Sequence, residues 1–233
     1  MLLRGDAVVG ANLAFYCERT IEGRRERFCN LAALCVSEPA RPHTFRLLRA
    51  LLRQPGYHFT DLSPSGSVIE LDRRLGFQFL DTATTLVLNI PRPRRGVQLI
   101  ADVDEIERLL TGRPAQLFAD HRSALGAQHL LIRRGHRHSY VLFRRDRRRG
   151  LPLFATVLYV SDQELFRDAL GTVASFLLIK HGAIASLIER RVVEVRPRLS
   201  WPLSRPRPKA FKSASLGEEH VDYLYTELTC VPW

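Results

Sequence analysis

Lysine is nearly missing from this chain of 233 residues: it occurs only at positions 180, 209 and 212. Arginine carries the rest of the positive charge, and a net charge of +11 gives a pI of ≈ 10.2. That balance points to anionic partners: a phosphorylated cofactor, nucleic acid or an acidic surface. Arginine suits them because its planar fork makes two parallel bonds to one phosphate; a GC-rich genome would give the same bias. Cysteine is scarce too. Cys17, Cys29, Cys35 and Cys230 form no CxxC pair and have no histidine at zinc spacing, so no metal site is expected. Three of them lie in apolar strand-like runs, where a thiol acts as a small buried hydrophobe. There is no Walker loop, HExxH, dinucleotide fingerprint or Ser-His-Asp pattern. The longest uncharged apolar run, near 173–179, is far too short to span a bilayer, and no secretory signal opens the chain. A reducing cytoplasm is the expected location.

What is present is an ordinary globular composition, 45% hydrophobic and 25% charged, with length for one large core or two small ones. Residues 7–20 and 27–36 are β-rich runs joined by Ile21-Glu22-Gly23-Arg24, which reads as a hairpin. The chain starts almost inside its first strand, so that sheet edge needs cover, from elsewhere in the chain or from upstream of Met1. Residues 44–53 set Leu47, Leu48, Leu51 and Leu52 against Arg46, Arg49 and Arg53, the period of an amphipathic helix. After a short strand at 57–62, Ser63-Pro64, with Ser65 as a second choice, reads as the cap of a further helix. Its expected buried face is Val68, Leu71 and Leu75, and Gly76-Phe77 its stop.

A strand follows at 79–89 and a Pro/Arg linker at 91–96. Beyond it, residues 102–110 and 116–127 read as helices, 129–134 and 139–145 as a hairpin, and 153–160 as a strand. A long helix covers 161–180, with Ser161 and Glu164 at capping-box spacing. Strands at 184–193 and 223–230 flank an excursion at 196–212, of which 201–212 reads as a lid or a crossover loop. The result is an α/β chain with mixed sheets in two related units, 1–95 and 96–233. The first lacks the opening helices of the second.

Two crossovers in the first unit carry a family likeness. The turn Arg41-Pro42-His43-Thr44-Phe45-Arg46 stands between a strand and a Leu-rich helix, and Leu62-Ser63-Pro64-Ser65 leads into Leu71-Asp72-Arg73-Arg74-Leu75-Gly76-Phe77. The pair resembles the [R/Q]xxGx[G/A] turn and the NPxAxxLYxxxGF segment of the GNAT superfamily of acyl-CoA-dependent acyltransferases, over about residues 7–90. The order of elements continues the likeness, so the whole chain resembles a tandem GNAT-like protein. Two departures stand out. Pro42 and Thr44 replace the turn glycines, and Asp72 stands where the family has the tyrosine that protonates the departing thiolate. A carboxyl of ordinary pKa is a poor acid at neutral pH unless burial raises it.

The resemblance implies a cofactor, acetyl-CoA or a longer acyl-CoA, and transfer to an amine or hydroxyl acceptor that attacks the thioester directly. It implies that Leu34, Cys35 and Val36 border the thioester and that Arg41, His43, Thr44, Phe45 and Arg46 hold phosphate. Ser63 and Ser65 would lie by the thiol end, with Asp72 as acid and Glu18 as base. Asn30 would orient substrate or satisfy structure; Cys35 would be a nucleophile or an inert thiol. The second unit's turn, Tyr159-Val160-Ser161-Asp162-Gln163-Glu164, has no glycine or arginine and two carboxylates, so it reads as structural or substrate-facing. The competing expectation is a GNAT-like protein without catalysis whose basic face binds nucleic acid or an acidic partner. The run 144–150, with His136 and His138, is one such patch, although its aromatics alternate as core residues. The acceptor, the chain length of the acyl group and the oligomeric state are not encoded in any motif.

Overall fold

The structure, a computed structural model, describes residues 1–148 and 151–232, apart from the side chains at 148, 151 and 152. Arg149 and Gly150 of the basic run, and Trp233, lie outside the described residues. Two compact units divide the chain. One is Met1–Asp81 with Arg207–Val221 and Tyr225–Glu227; the other is Thr82–Pro206 with Asp222–Leu224 and Leu228–Trp233. The first unit thus parts from the second before the 91–96 linker, and the chain returns to it late.

The first unit opens with β1 (Leu2–Arg4), β2 (Ala7–Ile21) and β3 (Arg24–Val36). Glu22 and Gly23 both have positive φ, 49° and 80°, the two-residue turn whose twist matches a hairpin. A 3-10 turn, Glu38–His43, runs straight into α1 (Thr44–Leu52), which buries Leu47 and Leu48 and leaves its arginines in solvent. Then come β4 (Tyr57–Asp61), α2 (Val68–Arg74) and β5 (Gln78–Phe79). The sheet order is β1-β2-β3-β4-β13-β5, the fifth member being the late strand β13 (Ala210–Lys212). Only β3 and β4 are parallel, as a helical crossover requires. Cys29, Leu31, Leu48, Phe59, Phe77 and Ala210 form the core between helices and sheet.

The second unit contains β6 (Thr84–Leu88), β7 (Gln98–Ile100), α3 (Val103–Leu109), α4 (Gly112–His121), β8 (Gln128–Arg134), β9 (Arg137–Arg148) and β10 (Leu151–Val160). After these come α5 (Gln163–His181), β11 (Ala185–Glu189) and β12 (Ser200–Pro202). Its sheet runs β12-β6-β11-β10-β9-β8-β7. Here too one pair is parallel, β10 and β11, joined by α5. Each unit therefore repeats hairpin, helix, parallel strand, and the opening helices α3 and α4 belong to the second alone.

Four local expectations change. The run 79–89 splits, β5 joining the first sheet and β6 the second. Residues 201–212 end as two short strands, β12 and β13. The strand expected at 223–230 does not form: Asp222 caps the Leu224 amide, Tyr225 has φ 60°, and Glu227–Cys230 is a helical turn, α6. Asp162, not Ser161, caps α5 by accepting from the Leu165 amide, while the Ser161 hydroxyl accepts from the Tyr140 amide.

The stop of α2 is as the sequence indicates. The Phe77 amide donates to the Asp72 carbonyl at 3.0 Å and the Gly76 amide to Arg73 at 3.1 Å, with Gly76 at φ 78°, a Schellman pattern. Gly76→Ala is expected to cost about 1 kcal/mol, read as a lower urea midpoint at unchanged slope.

Candidate functional site

The site begins where β3 and β4 part. Their ladder runs from Arg27 opposite Tyr57 to Leu31 opposite Asp61, and there it stops. β3 continues to Val36, paired only with β2. At the parting, Leu13 faces Ala33 and Ala14 faces Leu31, so Ala32 is an extra residue, a bulge that bends the strand. A groove of ≈ 600 Å³ opens beside the freed end of β3, lined by Leu34, Cys35 and Val36, by Arg41 and Thr44, and by Ser67, Val68 and Leu71 of the α2 side. Glu70 and Arg74, an ion pair at 3.3 Å, also line it.

The structure thus brings together Leu34, Cys35, Val36, Arg41 and Thr44. It does not bring His43, Phe45 and Arg46 to them. His43 and Arg46 line a separate depression beside β1, and Phe45 and Arg46 another on the outer face of α1. Nor does α1 present a bare N-terminus. It is entered through the 3-10 turn, and the Thr44 amide already donates to the Arg41 carbonyl. Arg41 is exposed and 3.8 Å from Glu38, a weak surface pair.

Neither Ser63 nor Ser65 caps α2; the position belongs to Ser67, without a side-chain bond. The Ser63 hydroxyl donates instead to Glu227 at 2.6 Å, and the Ser65 carbonyl accepts from the Val68 amide. Glu18 pairs with Arg25 at the hairpin end of the sheet. It faces Arg27, seven residues and about 23 Å of strand from Leu34. Asn30 is buried and satisfied: it donates to Thr60 and accepts from the Glu227 amide.

Asp72 is the main surprise. The expected buried face of α2, Val68, Leu71 and Leu75, is only half-buried, whereas Asp72 is 0% exposed. Among the described residues neither of its carboxylate oxygens has a hydrogen-bond partner. Burial pushes its pKa up to about 6. Asp61, at the end of β4, is pushed to about 8, first by burial, then by the charges of Asp72 and Glu227, against one bond from the Ser63 amide at 3.3 Å. Asp61 was not singled out from the sequence. The available signal was an acidic residue closing an apolar strand just before Ser63-Pro64.

A Ser–His–Glu chain also forms on this sheet. His58 meets Ser213 through Nδ1 at 2.8 Å and Glu26 through Nε2 at 2.9 Å. The Ser213 oxygen already accepts from the Ser215 and Leu216 amides. With both lone pairs engaged it is a clasp holding the end of β13, not a nucleophile. In the second unit Asp162 and Glu164 share Arg137, so the first turn of α5 is occupied by its own ion pairs. Among the described residues no group of His, Cys, Asp and Glu is arranged to hold a metal ion, and no helix is long and apolar enough to cross a membrane.

No family model matches the sequence, and no curated protein sequence matches it. Solved structures do. A GCN5-related N-acetyltransferase from Anabaena variabilis superposes with a TM-score of 0.56 at 14% identity, covering 89% of this chain and 60% of that one. Another, from Kribbella flavida, gives 0.50 at 16% identity, covering 89% and 57%. The chain spans about three fifths of the length of each. A mixed α/β chain with one parallel pair in each unit, the first parting at a bulge, thus has the fold of the GCN5-related N-acetyltransferases.

The two raised carboxyls make a pH prediction. A raised folded pKa means that the folded state keeps protons the unfolded chain releases. The stabilisation is complete below about pH 4 and is lost as pH rises through about 6 for Asp72 and about 8 for Asp61. Asp72→Asn mimics the neutral acid. It is expected to leave stability at pH 4 little changed and to raise it by about 1–3 kcal/mol at pH 8, measured by urea unfolding at both values.

Proposed function

We propose that the protein is an acyltransferase that takes an acyl-CoA thioester in the groove beside β3 and passes the acyl group to an amine or hydroxyl. The observation that carries this is the groove at the parting of β3 and β4. It combines an apolar wall of Leu34, Val68 and Leu71 with Arg41 and Arg74 at the open side, on a chain of this fold. The mixed lining suits a long thioester arm of methylene and amide groups that ends in phosphates. Arginine side chains, rather than helix-terminal amides, would hold those phosphates, because the 3-10 turn uses the amide at Thr44. When bound, the thioester supplies an activated carbonyl; the strand around Leu34 and Val36 borders it, and the chain contributes positioning and amide dipoles. The two units, each with one parallel pair across a helix, are read as related copies, the first carrying the cofactor groove.

One observation favours a second reading, a non-catalytic module. From position 39 to 60 the sequence has no acidic residue. Arg46, Arg49 and Arg53 share one face of α1 with no acidic partner among the described residues, beside a Phe45 ring 39% exposed. Like charges at that spacing destabilise a helix, and together with an aromatic they suit a single-stranded polyanion.

Acetyl-CoA, or a longer acyl-CoA, is expected to raise the melting temperature of the purified protein, and Arg41→Glu to abolish the rise. No rise with any CoA thioester would overturn the acyltransferase reading. Salt-sensitive capture of a labelled single-stranded oligonucleotide, lost in the Arg46→Glu, Arg49→Glu double variant, would then select the second.

A further inference from the structure

β2 is the longest strand of the first unit and one of its edges is nearly bare. β1 pairs with it only at Ala7–Gly10, and among the described residues no other strand lies on that side. From Ala11 to Ile21, where the hairpin turn begins, that edge is free, and none of these residues is buried. In the second unit the same place is filled. There β10 leads into the crossover helix, β9 is its hairpin partner, and β8 pairs along the other edge of β9 from Gln128 to Arg134. Tyr140 to Phe143 of β9 are enclosed. In the first unit β3 and β2 hold the places of β10 and β9, and the three residues of β1 stand for β8. The free edge is also neutral in a chain of net charge +11. Ala11 to Cys17 carry no charge and no proline, and Glu18 and Arg19 cancel. Leu13 and Tyr16 are 52% and 50% exposed. The middle of this strand therefore lacks the charges and prolines that keep sheet edges from joining, and it offers nothing to a polyanion.

We propose that this edge of β2 pairs with the same edge of a second copy of the chain, antiparallel about a two-fold axis at Tyr16. Backbone direction fixes which residues bond. The Val9 carbonyl accepts from the Ser37 amide past the end of β3, so odd-numbered residues of β2 turn their backbone to β3. Even-numbered ones, Asn12 to Thr20, turn theirs to the free edge. β1 bounds that edge at one end and the hairpin turn at the other, so its full use sets Ala11 of one copy opposite Ile21 of the other. Even residues then meet even ones: Asn12 meets Thr20, Ala14 meets Glu18, and Tyr16 meets its own copy. Such pairs, each exchanging two bonds, give about ten hydrogen bonds, as many as an ordinary stable interface holds. Leu13 falls opposite Arg19, so neither Glu18 nor Arg19 meets its like, and the strand is complementary to itself. The pairing involves neither the groove nor the α1 arginines, and it stands apart from the reading of what the groove binds.

Light scattering on the eluate of a size-exclusion column is expected to give twice 26.6 kDa at high protein concentration, falling toward one chain on dilution. Hydrogen exchange resolved to single amides checks the edge. Asn12, Ala14, Tyr16, Glu18 and Thr20 are expected to be protected in the concentrated sample and to exchange freely in the dilute one. Leu13→Lys sets a cation opposite Arg19 of the second copy, twice in each dimer, and is expected to weaken association about tenfold, whereas Leu13→Glu is not. Ala14→Pro removes an outward amide without taking a bond from β3 and is expected to leave a monomer. Should Ala14→Pro not fold, the two Leu13 variants, made at an exposed side chain, decide. A single-chain mass at every concentration overturns the proposal, and protected even-numbered amides in that monomer would mean that the chain covers its own edge. A dimer whose even-numbered amides exchange freely joins through another face and overturns it too. Equal weakening by Leu13→Lys and Leu13→Glu rules out pairing about Tyr16.

Discussion

The first unit depends on one geometric event, the end of the β3–β4 ladder at Leu31 and Asp61. Parallel strands joined by a helix are held by the helix that packs across them, here α1 through Leu47 and Leu48. Beyond Leu31, β3 stays paired with β2 through four residues, Ala33 to Val36, and the bulge at Ala32 turns it from its other neighbour. A freed strand edge must find partners in solvent or in a ligand. The groove is therefore the consequence of a register, and its lining is whatever β3, the 3-10 turn and α2 happen to present there.

The orientation of α2 decides what is presented. Its rotation puts Val68 and Leu71 along the groove, packs Leu71 and Leu75 on the core cluster, and leaves Asp72 fully enclosed. An ionised carboxylate without partners would be very costly there. Protonation removes most of that cost, at 1.36 kcal/mol for each unit by which the pKa is raised. A groove wall of apolar side chains and an enclosed acid of raised pKa are thus two effects of one rotation. Neither follows from the hydrophobic pattern of the helix alone.

That rotation marks the border of what the sequence shows. The hairpin at Glu22-Gly23, the α1 stripe and the Gly76-Phe77 stop are local, governed by φ preferences and a 3.6-residue period, and they are legible. Gly76 needs a left-handed backbone whatever surrounds it. Ser63 is the contrary case. Its propensity to cap is real, but a carboxyl 164 residues along the chain, Glu227, takes the hydroxyl. The placement of β13 between β4 and β5 is equally non-local, since three residues after a Pro/Arg segment have no periodicity to read. Of the site, the β3 edge, Arg41 and Thr44 were readable because strand-turn-helix order is local. Asp61 was not, because its chemistry comes from burial and neighbours rather than from its place in a motif.

The second unit differs in charge at the corresponding crossover. It has the same sequence of hairpin, helix and parallel strand, and α5 begins with a proper N-cap, Asp162, whose carboxylate takes the Leu165 amide. Glu164 follows, and Arg137 from β9 bridges both acids. The positive end of the α5 dipole is therefore already neutralised by side chains of its own unit, and an incoming phosphate would meet two carboxylates. In the first unit the corresponding helix has no acid in its first turn, and α1 follows a turn that carries Arg41. The second unit ties its helix start to its own carboxylates, whereas in the first Arg41 of the preceding turn lines the groove. The same hairpin-helix-strand order thus carries opposite charge at the two crossovers.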